Sequence, residues 1–239
     1  MSLLTLVRHA QASFFADDYD QLSELGQRQA RLLAEHWIRR GVTCDELHVG
    51  PRRRQRETAE IMTQAFGEAG RSWPAPLLVE DFDEYDLAGL LRVLADDLAR
   101  RDAAYAALVR RHVESQDDPD RLRTFQAQFE ALLTHWIDRS DELAGVESWP
   151  AFYGRVQRAL RSVCERAGSG RHVVAITSGG FIAAAVSRAL AAPPRTALEL
   201  NWRLRNTALT QFMFTAERFT LDSFNCLPHL DDPSLWTYR

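Results

Sequence analysis

His172-Val173-Val174-Ala175-Ile176-Thr177-Ser178-Gly179-Gly180 is the stretch whose reading decides the fold. Up to Thr177 it is β-branched and apolar on both faces, and a run of that kind belongs in the middle of a sheet covered on both sides. It passes directly into two glycines and then into an apolar helical stretch over 181–191. Strand, glycine turn and helix is a geometry in which helix N-terminal amides can meet an anion.

The same unit recurs earlier in the chain. Leu3 to Val7 is a second run apolar on both faces, and it stops at Arg8-His9. Ser23 then caps a helix carrying Leu25, Leu32, Leu33, His36 and Trp37, which ends at Gly41. A short strand over 46–49 leads into Gly50-Pro51-Arg52-Arg53-Arg54, after which Thr58, Ile61, Met62 and Phe66 keep a helical period. Leu77 to Val79 reads as a third short strand, followed by the acidic loop Glu80-Asp81-Phe82-Asp83-Glu84-Tyr85-Asp86 and a helix over 87–100. From about 96 to 147 the alternation breaks: two helices are expected, near 96–114 and 124–138, with Phe125, Phe129, Leu132, Leu133, Trp136 and Ile137 at helical spacing. Ser148 caps a further helix bearing Phe152, Val156, Leu160 and Val163, and a hairpin from Asn206 to Phe224 closes the chain on a sheet edge. The expected architecture is a three-layer α/β/α sandwich with a mostly parallel central sheet, one domain over 1–239 carrying a helical insertion at about 96–147.

Composition excludes several classes. A chain of 239 residues, 46% hydrophobic and 26% charged with a net charge of −4, is an ordinary globular sequence and carries no basic footprint for nucleic acid. Cys44, Cys164 and Cys226 are scattered and odd in number, which argues for a reducing compartment and against a zinc site. The opening MSLLTLVRHA has too short an apolar run for a secretory signal, and no stretch is long and apolar enough to span a membrane, so a cytoplasmic location is expected.

Ligands of α/β sheets gather beyond the carboxyl ends of the strands. There the chain places Arg8-His9, the arginines 52–54, the acidic loop and Ser178-Gly179-Gly180. Guanidinium forks match phosphate oxygens, helix N-terminal amides hold anions, and imidazole can accept a phosphoryl group. Each piece alone has a plainer reading: a strand end reaching solvent, a solvated basic face, a turn with Asp86 as helix cap, a tight glycine turn. Arginines at a helix start, however, oppose the macrodipole unless an anion compensates.

Taken in order, the pieces resemble the histidine phosphatase superfamily. Leu6-Val7-Arg8-His9-Ala10 is similar to its L-V-R-H-G signature, with alanine in place of glycine. Leu22-Ser23-x-x-Gly26-x-x-Gln29-Ala30 is similar to the following L-T-x-x-G-x-x-Q-A helix. The stretch from Gly50-Pro51 to Thr58-Ala59 resembles S-P-L-x-R-A-x-Q-T-A, which selects Arg54 as the motif arginine. Asp83-Glu84-Tyr85-Asp86 resembles the N-E-Y-D acid loop, and Thr177-Ser178-Gly179-Gly180 occupies the place of the strand-ending H-G-G.

The resemblance implies residue-specific roles. His9 would be the nucleophile that becomes phosphohistidine, Arg8 and Arg54 would bind phosphoryl oxygens with Ser178 and Gly179 beside them, and Glu84 would protonate the leaving alkoxide. Glu80 starts a similar pattern, but Tyr85-Asp86 follows Glu84 and favours it. No metal and no cofactor is implied, because the arginines supply the charge. The partner is a small-molecule phosphate ester, not nucleic acid or membrane, and a homodimer is left open. Two departures stand out. Ser178 replaces the second histidine of most active members, so low activity is expected, and the methyl of Ala10 could restrict the loop backbone. The leading reading is a metal-independent phosphomonoesterase; the alternatives are a phosphoglycerate mutase-type phosphotransferase and a non-catalytic phospholigand-binding module.

Overall fold

The computed structural model describes residues 1–13, 20–115, 121–139, 144–166 and 168–238. The chain runs β1 (Ser2–Arg8), α1 (Glu24–Arg39), β2 (Glu46–Val49), α2 (Arg53–Glu68), β3 (Pro76–Leu78), α3 (Leu87–Arg101), α4 (Ala103–Glu114), α5 (Arg121–Asp138), α6 (Trp149–Arg166), β4 (His172–Thr177), α7 (Gly179–Ala189), α8 (Pro194–Asn201), β5 (Leu209–Phe214) and β6 (Phe219–Cys226). It divides into two compact units, residues 1–84 with 155–239, and residues 85–154.

The first unit holds a six-stranded sheet in the order β3-β2-β4-β1-β5-β6. β4 lies parallel between β1 and β2, β3 is parallel to β2, and β5 alone of the six runs against the others, pairing antiparallel with β1 on one side and β6 on the other. This is the mostly parallel α/β sheet expected from the sequence. Val174 and Ile176 join Val7, Leu47 and Val49 in a cluster with Leu33 and Trp37 of α1 and Met62 and Phe66 of α2. Val173 and Ala175, of the opposite parity, are equally inaccessible, so both faces of β4 are covered as its unbroken apolar run demands. Gly179 to Ser187 of α7 are all buried, which explains why that stretch is apolar all round rather than amphipathic; only Arg188 and Ala189 in the last turn are half-exposed.

Local signals act where the sequence puts them. Ser23 Oγ accepts from Gly26 N at 3.0 Å and starts α1, which ends against Gly41 in the left-handed region at φ 65°. Two boundaries differ from expectation. The strand at the edge is Pro76–Leu78, one residue earlier, with Leu77 and Leu78 exposed; among the described residues no strand pairs beyond it. Helix α7 begins at Gly179 rather than at 181, since a glycine in the first turn has no side chain to signal the helix yet adopts its dihedrals freely.

The second unit contains α3, α4, α5 and the first turn of α6. The helix expected over 96–114 is two helices, because Asp102 is extended (φ −125°, ψ 105°) and its carboxylate caps α4 through the amides of Ala104 and Tyr105. The core is aromatic: Trp136 lies 5.3 Å from Tyr85 and 5.4 Å from Trp149 between ring centroids, and its indole N–H donates to Glu147 O at 3.0 Å. Residues 116–120 and 140–143 of the expected insertion lie outside the described residues. No described helix is long and apolar enough to cross a membrane.

Candidate active site

Because β2, β4 and β1 are neighbours and parallel, their carboxyl ends open on the same edge of the sheet. The pairing continues one step beyond the strands: His9 N donates to Thr177 O at 2.9 Å and Gly50 N to Ile176 O at 3.0 Å. Two loops distant in sequence are thereby registered on the end of β4. They bring His9, Arg54 and Ser178 into one neighbourhood.

His9 is buried, and its Nδ1 bonds the carbonyl of Ala10 at 2.8 Å. A carbonyl only accepts, so Nδ1 carries the proton and Nε2 presents a lone pair. Nε2 receives a hydrogen bond from Arg54 Nε at 3.0 Å. Burial first, then the charges of Arg54 and Arg8, hold the imidazole well below its usual 6.5, against a smaller upward pull from the Ala10 carbonyl. The ring is a neutral imidazole under the influence of two cations, Arg54 and Arg8. Ala10 is not among the residues of positive φ, so its methyl imposes no backbone strain.

The three arginines separate by partner. Arg54 is buried and, besides His9, contacts Asp20 through NH1 at 2.5 Å. Arg52 donates from Nε to Asp83 at 2.6 Å, and Arg53 to Glu57 at 2.6 Å. The spacing that selects Arg54 thus coincides with the arginine that reaches His9. Arg8 sends NH1 to the carbonyl of Leu204, and a Cβ on Gly179 would lie 3.6 Å from its Nε.

Of the two candidate acids, Glu84 places Oε2 2.9 Å from the amide of Gly180, at the N-terminus of α7, whereas Glu80 opens a short 3-10 turn and is exposed. The loop that carries Glu84 is held by Arg155, whose NH1 donates to the carbonyls of Asp81 at 3.1 Å and Asp83 at 2.9 Å. Thr177 Oγ1 adds a bond to Phe82 O at 2.7 Å. Ser178 is fully buried, and its Oγ accepts from Gln55 Nε2 at 2.8 Å.

Sequence reasoning left several residues of this neighbourhood without a role. Asn206 Nδ2 donates to His9 O at 3.0 Å, its Oδ1 accepts from Thr237 Oγ1 at 2.9 Å, Thr237 accepts from Gln29 Nε2 at 2.9 Å, and Gln29 Oε1 accepts from Gln11 N at 3.0 Å. The circuit joins both ends of the loop 9–11 through residues up to 228 positions apart in the chain. Thr207 beside it has φ 58°, costly for a β-branched residue, and is kept there by its amide on Arg8 O at 3.0 Å and its hydroxyl on Asn206 O at 2.7 Å. Only Gln29, within the L-S-x-x-G-x-x-Q-A stretch, was signalled by a motif. Arg155, Asn206 and Thr237 sit in ordinary-looking polar positions.

The strand ends of this α/β sheet bring together a neutral buried imidazole, arginines and a helix N-terminus, groups chemically able to hold an anion and to attack phosphorus. The sequence pattern of the histidine phosphatase superfamily (branch 1) matches residues 4–120 and 111–227, and the chain belongs to that family. Among curated proteins none matches it by sequence. Solved structures similar to it include Bacillus stearothermophilus YhfR, with a TM-score of 0.65 at 18% identity over 97% of this chain and 100% of that one. Phosphoserine phosphatase from Entamoeba histolytica, crystallised with 3-phosphoglyceric acid, gives 0.61 at 18% over 96% and 100%. A mycobacterial glucosyl-3-phosphoglycerate phosphatase gives 0.57 at 20% over 94% and 98%. These likenesses are of fold.

Proposed function

We propose that the protein is a metal-independent phosphomonoesterase acting on small phosphate esters through a phosphohistidine on His9. The observation that carries this reading is the tautomer: with Nδ1 committed to Ala10 O, the lone pair on Nε2 is the one available for attack. As an ester enters, Arg54 exchanges its bond to Nε2 for a phosphoryl oxygen, and Arg8 and the α7 amides neutralise the rest of the charge. Nε2 bonds phosphorus as the ester P–O bond breaks, and Glu84 delivers a proton to the departing alkoxide. The negative phosphoryl group favours the protonated form of that carboxyl while it waits. Water then attacks phosphorus, Glu84 takes its proton, and the P–N bond breaks to release phosphate and neutral His9. Relatives of the same fold whose names specify phosphoserine and a sugar phosphoglycerate support a small-molecule substrate.

The test is a quench experiment. Protein mixed with an aryl phosphate in the presence of a chelator should release phosphate, and acid-labile, base-stable phosphate should be trapped on the wild type. The His9→Ala variant, folded by circular dichroism, should do neither. Undiminished turnover by that variant would overturn the assignment.

A further inference from the structure

Three departures from the motifs meet in space. Where S-P-L-x-R-A-x-Q-T-A has serine and alanine this chain has Gly50 and Gln55, and where H-G-G has histidine it has Ser178. Gln55 is fully buried in the first turn of α2; its Nε2 donates to Ser178 Oγ at 2.8 Å and its Oε1 accepts from Arg52 N at 2.9 Å. A Cβ on residue 50 would stand 2.3 Å from that Oε1 and 2.6 Å from Phe82 O, closer than any side chain tolerates. Glycine at 50 therefore makes room for the glutamine, and the glutamine spans to the serine.

We propose that Gln55 and Ser178 form a neutral pair that takes over the phosphoryl contact of a second histidine, Gln55 being the positioning residue and Ser178 the group that touches substrate. The proposal rests on the phosphatase reading of the site. A serine oxygen has one proton to give and lone pairs to offer. The Gln55 amide engages a lone pair, and among the described residues Ser178 Oγ donates to no acceptor; nor does it accept a capping bond from an amide of α7. The hydroxyl proton is left for an incoming acceptor at the end of β4, next in the chain to Gly179, whose Cβ position would lie 3.6 Å from Arg8 Nε. The pair replaces an imidazole by an amide and a hydroxyl reaching from two elements, so a histidine introduced at 178 alone collides with the side chain that already stands there.

The experiment is a double-mutant cycle read by inorganic phosphate affinity and by kcat on an aryl phosphate, using Gln55→Ala, Ser178→His and both together. Each single change should weaken phosphate binding and lower kcat by about tenfold, the loss of one well-placed hydrogen bond. The double variant should recover both to within about threefold of wild type, a rescue that a purely structural role for Gln55 does not produce. If either single variant fails to fold, Ser178→Ala and Gln55→Ala/Ser178→Ala decide: the pair predicts that removing Gln55 adds nothing once the hydroxyl is gone. Multiplying effects in either cycle, or tighter phosphate binding by Ser178→His alone, would overturn the pair while leaving the phosphatase reading in place. A wild type that neither binds phosphate nor turns over would remove that reading, and the pair with it.

Discussion

Arg54 Nε and His9 Nε2 stand 3.0 Å apart, so the guanidinium engages the lone pair that the proposed mechanism uses for attack. The same contact depresses the imidazole's basicity, after burial and ahead of Arg8. Arg54 thus orients the His9 ring and, second to burial, favours its neutral form.

The acid limb of activity follows from this. Wild type should keep its kcat/KM well below pH 6.5, because His9 protonates only far into the acid range. Replacing Arg54 by Gln removes a positive neighbour, which raises the imidazole pKa and moves the acid limb upward. Phosphate inhibition should weaken by about one to two decades, the worth of a charge-assisted contact of about 1.5–3 kcal/mol. pH–rate profiles of both proteins check the shift; a limb that moves down refutes it.

Arg53 should be nearly dispensable, since its exposed guanidinium pairs with half-buried Glu57 on its own helix. Arg53→Ala is expected to change phosphate affinity by less than about twofold. A larger loss would shift the motif alignment by one position.

Glu84→Gln keeps the side chain's shape at Gly180 N but cannot release a proton. Hydrolysis of alkyl phosphates should fall by about 10²–10⁴, whereas an aryl phosphate with an acidic leaving phenol should suffer far less in the first step. Equal losses on both substrates, measured by single-turnover phosphate release, would assign Glu84 to binding alone.

The circuit from His9 to Gln11 predicts a rate effect from a residue near the C-terminus. Thr237→Val removes the hydroxyl that links Gln29 to Asn206, and kcat should drop by about three- to tenfold with KM little changed. A change in KM alone would mean that the circuit does not position His9.

Acid should also destabilise the fold through His229. Burial, with a smaller contribution from His36, lowers this imidazole to about 3, against 6.5 when unfolded, and its Nε2 bonds Thr207 Oγ1 at 2.8 Å. The unfolded chain therefore binds the extra proton first, and stability present above pH 6.5 is lost as pH falls through and below it. Between pH 7 and 5 the loss from this residue should be about 2 kcal/mol. Urea midpoints of wild type and His229→Gln at the two pH values test it; parallel losses in both proteins would exclude His229.

Periodicity and motif order made most of the sheet legible. Unbroken apolar runs such as Val173–Ile176 mean burial on both faces whatever surrounds them; Arg8-His9 and Ser178 follow strands in the sequence itself, while Arg54 and Glu84 are singled out by their resemblance to the family motifs. Other features depend on geometry that no local pattern carries. That α7 starts at Gly179, that Asp102 splits a helix, and that Glu84 rather than Glu80 meets the Gly180 amide are decided by which backbone donors and acceptors are left over once the chain is packed. The tautomer of His9, the pairing of Gln55 with Ser178 and the reach of Thr237 back to Asn206 are further still from sequence. They are contacts between elements far apart in the chain, and hydrogen bonds at 2.8 or 2.9 Å come into being only when the sheet has set their partners side by side.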